Sequence, residues 1–163
     1  ITSVSWIQKG NVLAVGTSKN TIELWDVNKK VCLRQMKCGT SRIGSLSWNK
    51  NILTSGSRSG EINHHDVSKA EHKVGTIKFH TQEVCGLKWS PDGNYLASGA
   101  NDNLVAVWSS NNITHDAIQP SHVFREHTAA VKALSWCPWE KNILATGGGT
   151  ADGFIHIWNS NNG

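Results

Sequence analysis

Two stretches of the chain carry side chains that, met in isolation, would read as acyl-transfer machinery: His80, Ser98 and Asp102 in one, His127, Thr146 and Asp152 in the other. A hydroxyl nucleophile, an imidazole base and a carboxylate to orient it are the parts of a triad. The set occurs twice, however, and each time a tryptophan follows it, Trp108 and Trp158. A nucleophile occurs once, on an exposed strained turn with an oxyanion hole beside it. The duplication assigns these residues to the scaffold, and no catalytic residue is expected.

Other chemistry-bearing stretches resolve the same way. His64-His65-Asp66 puts three metal-ligand types in a row, but neighbours along a strand point to opposite faces. One histidine is expected against the core and the other toward a neighbouring unit or solvent, with no shared metal. The four cysteines (Cys32, Cys38, Cys85, Cys137) have no C-x-x-C spacing. Cys85 and Cys137, in or beside apolar runs, are expected as small core residues. The glycine run "ATGGGTADG" lacks the G-K-[ST] of a phosphate loop, and Asp152 stands where a dinucleotide loop needs its third glycine. These glycines are expected to permit a compact turn with φ > 0 and a close backbone approach. No cofactor and no metal are expected.

Composition narrows the classes further. The chain has 163 residues, 38% hydrophobic and 17% charged, which suits one globular domain or a piece of a larger one. No stretch resembles a signal peptide, and no apolar run approaches the roughly 20 residues that span a membrane. The net charge of +4 comes from scattered basic residues rather than a stripe, so neither nucleic acid nor membrane is an expected partner. Reduced cysteines point to the cytoplasm and nucleus.

The elements that hold these residues repeat. "ITSVSW", "IGSLSW", "VCGLKW" and "VKALSW" end at Trp6, Trp48, Trp89 and Trp136, which are 42, 41 and 47 residues apart. Each is followed by "LAVG", "LTSG", "LASG" or "LATG", then by a third apolar run: "IELWDV", "INHHDV", "VAVW", "IHIW". Fourth strands are expected at "VCLRQM", "HKVGTIKF" and "HVFRE". A repeat of this length with four short strands predicts an all-β propeller, with blades at about 1–40, 41–80, 81–126 and an incomplete one at 127–163. Raw ends favour an arc cut from a larger ring, although closed four-bladed rings exist.

The recurrent polar set resembles that of the WD-repeat family. The resemblance implies that the aspartate of the tight turn accepts a hydrogen bond from the histidine. The histidine is linked through Ser or Thr to the tryptophan indole, so His80, Ser98, Asp102 and Trp108 form one closed chain and His127, Thr146, Asp152 and Trp158 another. The first two repeats lack the set: Asn20 and Gly60 occupy their turns, His65 stands in place of tryptophan, and packing is expected to hold them. Beside the structural Asp102, Asn101 and Asn103 are expected to emerge at the blade's edge. With Thr150 from the corresponding turn one blade later, they would converge at one rim as neutral donors and acceptors suited to a short polar peptide. The plainer alternative is that asparagine favours turns.

The chain also resembles a narrower group, the Fizzy-type activators of the anaphase-promoting complex. The resemblance is carried by "GSLSWNKNILTSGSRSG", "QEVCGLKWSPDG", "LASGANDNLVAVW", "HTAAVKALSWCPW" and "LATGGGTADGFIHIWN". "HHDV" and "CPWEKNILATGGGT" are similar to the mitotic Fizzy branch. The resemblance implies a seven-bladed ring of which this chain is the second to fifth blades, and a substrate-recognition role rather than catalysis. It implies that Asn101, Asn103 and Thr150 bind degradation motifs of the Lys-Glu-Asn type and present substrates to the ligase. Implied partners are anaphase-promoting complex subunits, degron-bearing substrates and spindle-checkpoint proteins that act as pseudosubstrates. A passive interaction scaffold is the alternative.

Overall fold

The computed structural model describes residues 1–112 and 119–163 and is built of four antiparallel sheets. The first contains β1 (Ser3–Trp6), β2 (Val12–Gly16), β3 (Thr21–Asp26) and β4 (Val31–Lys37). The second contains β5 (Ile43–Asn49), β6 (Ile52–Ser57), β7 (Glu61–Asp66) and β8 (Lys73–Lys78). The third has β9 (Val84–Trp89), β10 (Tyr95–Ala100), β11 (Val105–Ser109) and a short β12 (His122–Phe124). The fourth has β13 (Val131–Trp136), β14 (Ile143–Gly148) and β15 (Ile155–Asn159). Each sheet is a meander in chain order, the arrangement of a propeller blade. The first strands β1, β5, β9 and β13 lie side by side in that order and form the inner wall.

The core lies between blades rather than within them. Ala14, Ile22 and Leu24 of the first sheet pack against Ile43, Trp48 and Leu53 of the second, and the next two seams repeat the pattern. The recurrent tryptophans tie each blade to the one before. Trp48 Nε1 donates to the Ser5 carbonyl at 3.1 Å, Trp89 Nε1 to Thr54 Oγ1 at 3.0 Å and Trp136 Nε1 to the Lys88 carbonyl at 2.9 Å. These three indoles are 4–6% exposed, whereas Trp6, with no blade before it in this chain, is 56% exposed. The repeated glycine of the "LAxG" runs is explained at the same seam. A Cβ on Gly56 would fall 2.7 Å from Val84 Cβ, so only glycine lets the next blade approach this closely.

Two sequence expectations need correction here. Among the cysteines it is Cys38 that is buried in the core, while Cys85 and Cys137 are only partly covered. Of the glycines in "ATGGGTADG", only Gly153 takes a left-handed conformation, at φ 70°. Gly148 matters instead because a Cβ there would collide with the Asp152 carboxylate.

Candidate functional site

The turn joining second to third strand carries a left-handed residue at or next to its end in every blade: Asn20 (φ 51°), Gly60 (φ 86°), Asn103 (φ 67°) and Gly153 (φ 70°). Only glycine and asparagine take that conformation at small cost, which accounts for the residue types. In the third and fourth blades an aspartate precedes it and organises the turn. Asp102 accepts from His80 Nδ1 at 3.0 Å and from the backbone N–H groups of Thr81 and Leu104. Burial pushes the Asp102 carboxyl up, but these hydrogen bonds outweigh it and hold it below the ordinary value. Asp152 accepts from the Thr128 N–H at 2.8 Å and His127 Nδ1 at 2.7 Å. The same two donors hold its carboxyl well below the usual range.

The hydrogen-bond directions can be followed to the tryptophans. Trp108 Nε1 donates to Ser98 Oγ at 2.9 Å, so the Ser98 hydroxyl is free to donate to His80 Nε2 at 2.8 Å. That tautomer leaves His80 Nδ1–H to donate to Asp102, and every polar atom of the set is satisfied. Trp158, Thr146 and His127 repeat the arrangement at 2.8 and 2.7 Å. His156 lies close enough to join His127 and Asp152 in a cluster of ligand atoms within 4.8 Å. Both nitrogens of His127 are already committed to Thr146 and Asp152, so the cluster reads as blade framework.

Packing alone does not hold the second blade, contrary to expectation. His65 takes the tryptophan's place and its hydrogen bond, with Nε2 2.9 Å from Ser55 Oγ, and Nδ1 meets His72 Nδ1 at 3.0 Å. His64 is equally buried rather than facing solvent; Thr54 Oγ1 lies 2.9 Å from its Nδ1. In the first blade Val15 replaces the serine, and Trp25 Nε1 turns to Glu23 at 2.9 Å.

The rim residues separate by environment. Asn101 is exposed, and its backbone N–H donates to the Glu83 carbonyl at 2.9 Å. Arg58 and Gly149 make the same bond to the inner-strand loops of their own blades, so they are its structural equivalents. The fourth-blade turn is therefore longer than the third-blade one, and the exposed Thr150 sits on the added tip. Asn103 is half-buried. An open cavity of about 450 Å³ lies where the inner strands meet this rim, lined by Asn101, Arg42, Glu83, Gly44, Cys85 and Lys132 among others. Asn103 and Thr150 do not line it. Arg42 donates to both oxygens of Glu83, at 2.8 and 2.6 Å, which raises the guanidinium pKa still further. Sequence reading missed Arg42, Glu83 and Lys132, since no local pattern singles them out.

The family model for the CDC20/Fizzy WD40 domain matches residues 1–163. The chain belongs to the CDC20/Fizzy WD40 family. It is 51% identical over 160 residues to the anaphase-promoting complex subunit cdc20 of Dictyostelium discoideum, covering 98% of this chain and 32% of that protein. It is 47% identical over 163 residues to the WD repeat-containing protein slp1 of Schizosaccharomyces pombe, covering 100% and 32%. These relatives fit the mitotic Fizzy branch. A chain in the crystal structure of a mitotic checkpoint complex superposes with TM-score 0.93 at 48% identity, covering 98% of this chain and 48% of that one. This CDC20/Fizzy chain thus spans about a third of the length of these curated relatives.

Proposed function

We propose that this CDC20/Fizzy chain is the central part of a substrate-recognition module, the second to fifth blades of a seven-bladed ring. Its rim binds short degradation motifs of the Lys-Glu-Asn type and presents their bearers to the anaphase-promoting complex, in the cytoplasm and nucleus. The observation that carries the reading is the exposed Asn101 amide at the edge of an open cavity on the inner wall. An amide offers both donor and acceptor to the side chains and turned backbone of a polar peptide. Thr150, exposed on the lengthened turn one blade on, adds a hydroxyl, and Asn103 adds a second amide. The names of the relatives support ligase subunits and checkpoint proteins as partners. The chemistry asked of the module is binding and presentation, with catalysis left to the ligase.

A labelled Lys-Glu-Asn peptide titrated onto the intact protein tests this. Binding should weaken by about tenfold with Asn101→Ala, as expected for a lost buried hydrogen bond of about 1–2 kcal/mol. Unchanged affinity would remove the rim assignment. The left-handed backbone of Asn103 favours the scaffold alternative for that one residue. Saturable competition between unrelated degron peptides would exclude a passive scaffold.

A further inference from the structure

The first strands of the second, third and fourth blades each carry one residue more than their partners, and the three extra residues are Gly44, Cys85 and Lys132. A bulge takes such a residue out of the ladder and re-aims its side chain. All three line the cavity beside Asn101. Glycine projects nothing there and cysteine only a short thiol, which burial keeps protonated by pushing its pKa up. Lys132 alone brings a long charged side chain from this position.

The charges around it are otherwise matched. Arg42 and Glu83 neutralise each other through their two hydrogen bonds. Asp102, in the turn beside Asn101, is committed to His80 and two backbone donors. Among the described residues, the Lys132 ammonium forms no ion pair with a carboxylate. One blade back, the exposed Arg58 occupies the position equivalent to Asn101 and forms none either. The mouth of the inner wall therefore holds uncompensated positive charge in a concave setting, where the field of fixed charges is concentrated.

We infer that Lys132 is a specificity-determining residue that pairs with a carboxylate side chain flanking the motif of a peptide bound at Asn101. The inference rests on the peptide-binding reading of this rim and adds a preference for acidic flanks. A peptide carboxylate fits better than a nucleic acid, because the cavity offers one free ammonium beside the Glu83 carboxylate and not a basic stripe for a phosphate backbone.

The test uses the intact protein and two Lys-Glu-Asn peptides that differ only in flanking Asp/Glu against Asn/Gln. The acidic-flank peptide should bind about two- to fivefold tighter at low salt, the range of an exposed ion pair, and the advantage should fade as salt is raised. Lys132→Gln should abolish the preference and Lys132→Arg keep it, with melting temperatures unchanged because the side chain is exposed. Asn101→Ala should weaken both peptides alike and leave their ratio intact. Equal binding of the two peptides to the unaltered protein, or a preference that survives Lys132→Gln, would overturn the inference while leaving the rim assignment standing. Failure of both peptides to bind would overturn the two together. Displacement of the acidic peptide by a single-stranded oligonucleotide as effectively as by unlabelled peptide would overturn it in favour of a phosphate ligand.

Discussion

Ser98 shows how much one hydroxyl decides. It accepts from Trp108 and faces His80 Nε2, and all three side chains are buried. Ser98→Ala orphans two buried polar groups, so the midpoint of urea unfolding is expected to fall by the equivalent of about 2–6 kcal/mol, at about 1–3 per group. Asn103 answers to two demands, since its φ of 67° must be met before its amide can contact anything. Asn103→Ala should cost about 1–2 kcal/mol of stability, while Asn103→Gly should leave stability nearly unchanged. Comparing peptide affinity in these two variants separates the turn from the amide, because a binding role predicts loss in both. These polar sets were legible in the sequence because their members recur in the same order, ending six residues after the aspartate at a tryptophan. The His65–Ser55 replacement was not, since it becomes visible only when β6 and β7 are paired in register.

At the scale of the element, the second blade is the one built to respond to acid. Burial lowers His64 from 6.5 to about 4, and burial together with the His72, His64 and Lys73 charges lowers His65 to about 3. The folded blade thus keeps both imidazoles neutral at pH values where the unfolded chain has protonated them. The unfolded state binds more protons below pH 6.5, so stability is full above that pH and falls as the pH drops toward 4. Each histidine contributes a slope of about 1.4 kcal/mol per pH unit. Melting temperature should hold from pH 7.5 to about 6.5 and fall from there to pH 5, and His64→Leu should make that fall shallower. That substitution also removes His64 Nε2, which is buried without a hydrogen-bond partner among the described residues. Strand boundaries followed from the alternation of apolar and turn residues, but the bulges at Gly44, Cys85 and Lys132 did not. A bulge is a mismatch between two strands, and neither strand announces it alone.

At the scale of the molecule, stability lies in the seams. Trp89 is buried against the preceding blade and donates to Thr54, so Trp89→Ala should cost about 3–5 kcal/mol. Trp6 holds the same place in the first blade but stands 56% exposed in this chain. In the intact protein, where the proposed ring sets another blade against it, Trp6→Ala should cost as much as Trp89→Ala. A variant of the intact protein that melts like the unaltered one would count against the closed ring. The sequence by itself determined the blade: four short strands, glycine or asparagine at the left-handed turns, and the hydrogen-bonded sets, because each depends on residues within one repeat of about 40. Only the tertiary structure decided what faces the inner wall. Asn101, Arg42, Glu83 and Lys132 come together there from turns and bulges of three different blades, and a pattern local to one repeat has no term for its neighbours.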